Sequence, residues 1–247
     1  MKPERLVVEH RNNRLALEER LLVSHADSIG LPVKVYSVKE LARGHVKLLP
    51  TDIVSGSVLF IKHALRTLGK ELPEEDNYPD CLKYLLHREI TGPVKLRDVK
   101  VRLEFGKDIF VKPLKTKQFT GFVTCDHNDP RFNGASDNAL CYTSNVVKFV
   151  SEWRCYVMNG IYMDIRFADF GGDRNIRPDN GIITRAIGKL TESGAPAAYA
   201  IDFGVLSTGE TVLVEMNDGF SIGAYDGIPR EMYWMVIRTR WQELITQ

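Results

Sequence analysis

The chain has 247 residues, 44% apolar and 26% charged, and its 33 basic and 32 acidic side chains leave a formal net charge of +1. That composition supports a sizeable core and excludes wholesale disorder, the near balance of charge removes any global drive toward nucleic acid or anionic lipid, and the length points to more than one lobe. No apolar run approaches the roughly 18 residues that cross a bilayer, and MKPERLVVEH lacks the apolar centre of a secretory signal, so a soluble cytoplasmic protein with no membrane partner is expected.

Residues 13–29 place Leu15, Leu17, Leu21, Leu22 and Ala26 at near-helical spacing ahead of Gly30, which predicts a helix with a glycine stop. LPVKVYSV at 31–38 alternates like a strand. DIVSGSVLFIKHALRTLGKEL then reads as a short strand, a Ser-Gly turn and a helix over 58–68 that ends at Gly69. This β/α alternation predicts an open parallel sheet in a first domain, 1–80, bordered by the polar loop EEDNYPD.

In a second section, 81–147, VKVRLEF at 99–105 alternates apolar and charged residues and reads as a strand, and DIFVKPLKTKQFTGFV at 108–123 as two strands around a basic turn, together a small antiparallel sheet. The third section, 148–247, holds strands at WRCYVMN and IYMDIRF, a helix over GIITRAIGKL, and strands at AAYAIDFGV and TVLVEMN. A closing helix over 229–244 puts Met232, Met235, Val236 and Trp241 on one side as core. The fold class expected is α/β (α+β), folded throughout and free of internal repeats.

The four cysteines, Cys81, Cys125, Cys141 and Cys155, form no CxxC pair, which fits reduced thiols; Cys125, His127 and Cys141 lack the two tight spacings of a structural zinc site. Asp202 in YAIDFGV and Glu215 in TVLVEMNDG stand inside two apolar strands joined by the turn STGE, with Asn217 on the same strand face as Glu215. Carboxylates inside apolar strands are costly to bury unless a cation or an arginine answers them, or they lie on a solvent face; hard oxygen donors of this kind suit Mg²⁺ bound beside nucleotide phosphates.

Lys112 projects from a strand end before Pro113, with Lys115 and Lys117 in the turn and Gly121 beyond. Such a turn is either solvated or clamps phosphates as point charges. Arg154 in EWRCYV and Arg166 in YMDIRF are strand arginines with aromatic neighbours, suited to clamping a phosphate or carboxylate or to packing. Neither GxxxxGK[ST] nor GxGxxG occurs, no Gly-x-Ser-x-Gly elbow exists, and the six histidines form no HExxH.

Taken in order, FVKP, EWRCYV, AIDFGV and VLVEMNDGFSIG resemble the ATP-grasp superfamily, in particular its clade named for an arginine and two lysines. The likeness runs over residues 80–245 and is most specific at its end, where an Asp, twelve intervening residues and Glu-x-Asn reproduce that family's metal triad. The resemblance implies two α+β subdomains, 81–147 with the phosphate-binding lysines and 148–247 with the metal-binding hairpin, behind a β/α pre-ATP-grasp domain at 1–80.

It also implies roles. Lys112 would contact the α- and β-phosphates of ATP and Lys117 the β/γ end; Ser144, Val146 and Val147, in the interlobe hinge, would read adenine. Asp202, Glu215 and Asn217 would hold two Mg²⁺ ions, and Arg154 would face the γ-phosphate or an acyl phosphate. Many members carry an arginine two residues before the first metal acid, where this chain has Ala200, so Arg154, Arg166 or Arg185 must supply that charge. An upstream helical lysine has only Lys83 and Arg88 as candidates.

The activity implied is ATP-dependent ligation of a small-molecule or peptide carboxylate to an amine or thiol, with Arg154, Lys117 and Arg166 as catalytic groups. Two other readings compete. Val111-Lys112 and Asp202-Phe203-Gly204 echo protein-kinase strings, but HRDxxxxN is missing. A non-catalytic nucleotide- or RNA-binding protein would use a strand bearing Lys95, Arg97, Lys100 and Arg102, which Asp98 and Glu104 interrupt. The oligomeric state is open.

Overall fold

The computed structural model describes residues 3–114, 118–168 and 171–247, and the chain divides into two compact units, one of residues 1–85 with 149–247 and one of 86–148. The first unit opens with β1 (Arg5–Glu9), α1 (Leu17–Ser28), β2 (Val33–Tyr36), α2 (Val38–Ala42), β3 (Asp52–Ser55) and α3 (Val58–Thr67). The three strands form a parallel sheet in the order β2-β1-β3, as the β/α alternation predicts.

Local chemistry sets these boundaries. Ser37 closes a capping box with Glu40 at the start of α2, and the Ser57 side chain accepts from the Phe60 N–H at the start of α3. Gly30, at φ +68°, ends α1 in the left-handed region. A short 3-10 turn at Asp80–Leu85 closes this part of the unit.

The second unit is an antiparallel sheet, β4 (Thr91–Lys95), β5 (Ile109–Pro113), β6 (Phe122–Thr124) and β7 (Leu140–Ser144), in the order β4-β7-β5-β6, with α4 at Leu96–Leu103 packed on it. Here the structure corrects the expected strand at 99–105. Leu96, Val99 and Leu103 are fully buried at helical spacing against Val111, Phe122, Phe132 and Cys141, whereas Val101 and Phe105, which completed the alternating pattern, are exposed. The basic strand of the RNA reading goes with it: on the helix Arg97 reaches Asp98, Lys100 reaches Asp137 at 2.7 Å and Arg102 the Thr143 hydroxyl.

The chain then re-enters the first unit with β8 (Ser151–Met158), β9 (Ile161–Ala168), α5 (Asn180–Glu192), β10 (Ala198–Val205), β11 (Thr211–Asp218) and α6 (Arg230–Thr246). The strands form an antiparallel sheet in the order β11-β10-β8-β9. Tyr156, Ala198 and Ala200 of this sheet share one core with Leu6, Val8, Ile53 and Phe60 of the parallel layer and with Tyr233, Val236, Ile237 and Trp241 of α6. Trp241 donates its Nε1–H to the Asp52 carbonyl at 2.7 Å, tying the last helix to β3. The stripe of α6 is therefore turned from the expected one: Val236 and Trp241 are core, but Met235 is exposed and Tyr233 and Trp234 take the buried places.

Candidate active site

The antiparallel sheet of the first unit carries one row of charged side chains across all four strands. Glu215 on β11 stands opposite Asp202 on β10, Asp202 opposite Arg154 on β8, and Arg154 opposite Arg166 on β9, so the row reads acid, acid, base, base. A bulge beside Asp202 creates this register: Asp202 faces Glu215 while Phe203 already faces Leu213, leaving Val214 as the extra residue.

Arg154 grips Asp202 at two points, Nε to Oδ1 at 2.8 Å and Nη2 to Oδ2 at 2.7 Å. Its guanidinium also lies 4.4 Å from the centre of the Tyr225 ring and donates to the Gly223 carbonyl. Burial opposes the charge on Arg154, but the Asp202 carboxylate outweighs it by charge and by hydrogen bonding and holds the guanidinium above its ordinary pKa. Arg166 is held by Asp164, its neighbour two residues back, at 2.7 Å. Arg185 is exposed on α5, so Arg154 is the arginine the fold puts against the first acid; Ala200, where the family often has one, is fully buried in the core opposite Tyr156.

Asn217 joins the two acids, its amide nitrogen lying 3.1 Å from Glu215 Oε1 and 3.4 Å from Asp202 Oδ2. Two carboxylates converging on one N–H₂ group is an arrangement a cation satisfies, and a turned amide would present its oxygen instead. Arg154 and Asn217 both donate to Asp202, so its carboxylate is fixed in place beside that of Glu215. The donor set therefore fits a hard divalent cation.

The segment after β11 covers this row. Gly223 comes so near that a Cβ there would lie 3.3 Å from Arg154 Nη1, and its carbonyl also accepts from the Tyr156 hydroxyl at 2.9 Å. Burial pushes the Tyr156 phenol up to about 12. Tyr225 and Gly223 were not singled out from sequence; the signal available was an aromatic residue within the glycine-bearing run GFSIGAYDG. Trp153 faces the other way, donating its Nε1–H to the Ile176 carbonyl under Arg177, and so packs rather than lines this site. The DFG string has a packing cause: β10 carries glycine at 204 because the Phe149 ring lies against it, closer than any Cβ would allow.

In the second unit, Lys112 lies on β5 opposite Tyr142, on the face turned away from the buried Val111, and Gly121 brings the neighbouring chain against the Phe110 ring. Lys117, with Lys115, lies outside the described residues. Ser144 ends β7 and borders a cavity of about 530 Å³ that Thr91, Arg102 and Asn145 also line. Val146 and Val147 are half-buried in the segment that leads out of this unit at Lys148. Lys83 pairs with Asp80 at 2.7 Å, and Arg88 stacks 5.4 Å from the Phe110 ring. Among the described residues no three His, Cys, Asp or Glu side chains group as a metal site, so Cys125, His127 and Cys141 do not form one. No helix among them is long and apolar enough to cross a membrane.

A parallel α/β layer fused to an antiparallel sheet with an acidic hairpin, and a separate small antiparallel unit, is an ATP-grasp architecture, and solved structures share it. The chain is similar to D-alanine–D-alanine ligase from Bacillus anthracis complexed with ATP (TM-score 0.56, 11% identity, 100% of this chain and 99% of that one) and to carboxyaminoimidazole ribonucleotide synthase from Aspergillus clavatus complexed with ATP (0.59, 12%, 98% and 79%). It is also similar to the D-cycloserine synthetase DcsG (0.52, 11%, 95% and 99%). The chain belongs to the family described as ATP-grasp domain, R2K clade family 2, whose model matches residues 86–235. No curated protein matches it.

Proposed function

We propose that this chain is an ATP-dependent ligase that activates a carboxylate as its acyl phosphate and joins it to an amine or thiol. The observation that carries the reading is the row Glu215, Asp202, Arg154, Arg166 in a chain of the ATP-grasp family. The names of the solved proteins that share the fold, a ligase, a synthase and a synthetase, support it.

Asp202, Glu215 and Asn217 would hold Mg²⁺, which when bound neutralises charge on the phosphate oxygens. Arg154, kept ionised and oriented by Asp202 and Tyr225, presents Nη1 on the side of Gly223 as a fixed positive charge for the transferred phosphoryl group. Arg166, aligned by Asp164, adds a second cation one strand away. Lys112 and Lys117 act as phosphate-binding ammonium groups, and Ser144, Val146 and Val147 as the adenine-reading segment. The substrate is a small-molecule or peptide carboxylate.

The test is direct. Mg²⁺-dependent ATP binding raises the melting temperature, and Glu215→Ala abolishes the shift while leaving the unliganded melting temperature within a few degrees. Amino acids and short peptides screened for ADP release, with mass spectrometry of the product, then identify the bond formed. An unchanged melting curve with Mg-ATP in the parent protein refutes the reading.

A further inference from the structure

We infer that Tyr156 is a positioning residue for phosphoryl transfer: its hydroxyl pins the chain between Gly223 and Tyr225 and so holds the Tyr225 ring on the Arg154 guanidinium. The inference rests on the ligase reading for the role it gives Arg154; the tether itself does not.

The segment that covers the charged row needs outside support. Residues 222–225 belong to no helix or strand, so their backbone groups take partners from elsewhere in the fold. Tyr233 donates its hydroxyl to the Ile222 carbonyl at 2.7 Å, Glu18 accepts the Ala224 N–H at 3.0 Å, and just before them the Ser221 hydroxyl donates to the Gly56 carbonyl at 2.8 Å. The Tyr156 hydroxyl makes two such bonds at once. It donates to the Gly223 carbonyl at 2.9 Å and accepts the Tyr225 N–H at 3.0 Å. A phenol has one proton to give, so both bonds together fix how this hydroxyl is turned. Burial, which raises the Tyr156 pKa, keeps that proton in place at neutral pH.

Strand geometry couples the tether to the arginine. Tyr156 follows Arg154 by two residues on β8 and therefore shares its face of the sheet. It stands opposite Ala200 and Asp164, as Arg154 stands opposite Asp202 and Arg166. One strand thus carries both the guanidinium and the group that fixes the backbone from which its covering ring projects. Tyr156 is fully buried in the shared core, so its hydroxyl has a set position that a surface side chain would lack.

Asp202 does not complete the alignment. It engages Nε and Nη2 of Arg154, which leaves Nη1 and the ring face to other groups. Nη1 donates to the Gly223 carbonyl at 3.4 Å, and the Tyr225 ring lies 4.4 Å from the guanidinium carbon. Both contacts come from the two residues that the Tyr156 hydroxyl holds. Without that hydroxyl the Tyr225 N–H loses its bond and the Gly223 carbonyl keeps only its longer one. The charge that faces the transferred phosphoryl group is then less well aimed, which lowers kcat more than it raises KM.

The experiment compares the full-length parent, Tyr156→Phe, Tyr225→Leu and the double variant, by NMR of the ¹⁵N-labelled proteins and by ADP release with the substrates found in the turnover screen. In the parent the Tyr225 amide exchanges slowly. Tyr156→Phe keeps the ring, speeds that exchange about tenfold and moves the Arg154 Nε–H signal. Its kcat falls about tenfold while KM for ATP stays within about twofold; Tyr225→Leu shows a similar fall, and the double variant loses no more than either, because the two side chains act in series. A fast-exchanging Tyr225 amide in the parent overturns the inference without any variant. An unmoved Arg154 signal in Tyr156→Phe, or additive losses of kcat in the double variant, overturns it as well. The NMR readouts need no nucleotide, so the two readings fail separately: a parent with no Mg-ATP thermal shift and a moved Arg154 signal refutes the ligase and keeps the tether, whereas Mg-ATP binding with an unmoved signal refutes the tether alone.

Discussion

Arg154 and Asp202 face each other across β8 and β10 and close a two-point ion pair with side-chain exposures of 9% and 10%. The acid that family resemblance assigns to a metal is thus already the anchor of an arginine, and the two assignments are compatible because a carboxylate offers about four lone-pair positions. The pair gives Arg154 one orientation, which a phosphate clamp needs and an exposed, mobile arginine lacks.

Replacing Arg154 by Met leaves Asp202 buried without its counter-charge, and removing one partner of a buried pair costs about 3–5 kcal/mol. Urea denaturation should show that loss, and the double variant Arg154→Met/Asp202→Asn should recover part of it. Additive losses in the double variant would mean the two side chains do not act as a pair.

A second buried pair fastens α6. Arg240 contacts both oxygens of Asp218, at 2.7 and 2.6 Å, and is 4% exposed. Arg240→Leu should cost about 3–5 kcal/mol by stranding Asp218. In the protein that remains folded, the Mg-ATP thermal shift should match the parent's, because this pair holds the helix and not the nucleotide.

The acidic hairpin was legible in sequence for a physical reason. Strands such as β10 and β11 announced themselves because Asp202 and Glu215 interrupt long apolar runs, where an ionised group needs a reason to be. α4 was misread because Val99, Val101, Leu103 and Phe105 alternate over a stretch in which Leu96, Val99 and Leu103 are also helically spaced; which set is buried is decided by β5 and β7, not locally. The pairing of Arg154 with Asp202 spans 48 residues and depends on strand register, to which sequence spacing is blind. Glu19 looks like an ordinary first-turn acid in sequence, and only the fold shows it buried at 4% exposure.

Gly204 is a packing requirement of β10. An added Cβ would overlap the Phe149 ring, so Gly204→Ala should destabilise the chain by about 1–3 kcal/mol. Gly204→Ala combined with Phe149→Leu, which removes part of the ring, should regain some of that loss. Were the glycine instead a hinge of catalysis, the single variant would keep its stability and lose turnover, and denaturation and ADP-release assays on the same sample distinguish the two.

Glu19 gives a pH signature. Burial raises its pKa first; a hydrogen bond from its own backbone N–H and the charge of Arg11 oppose the rise, and the negative charges of Glu18 and Glu9 add to it. A carboxyl whose folded pKa lies above its unfolded value of about 4.3 favours the folded state fully below that value, and the advantage fades as pH rises through the folded pKa. Glu19→Gln cannot ionise, so relative to the parent it should gain stability steadily from about pH 4.3 upward, with a plateau above the folded pKa. Urea midpoints of the two proteins between pH 4 and 8 measure this difference. A constant offset across that range would mean that Glu19 ionises as readily in the folded chain as in the unfolded one, and that its burial imposes no electrostatic cost.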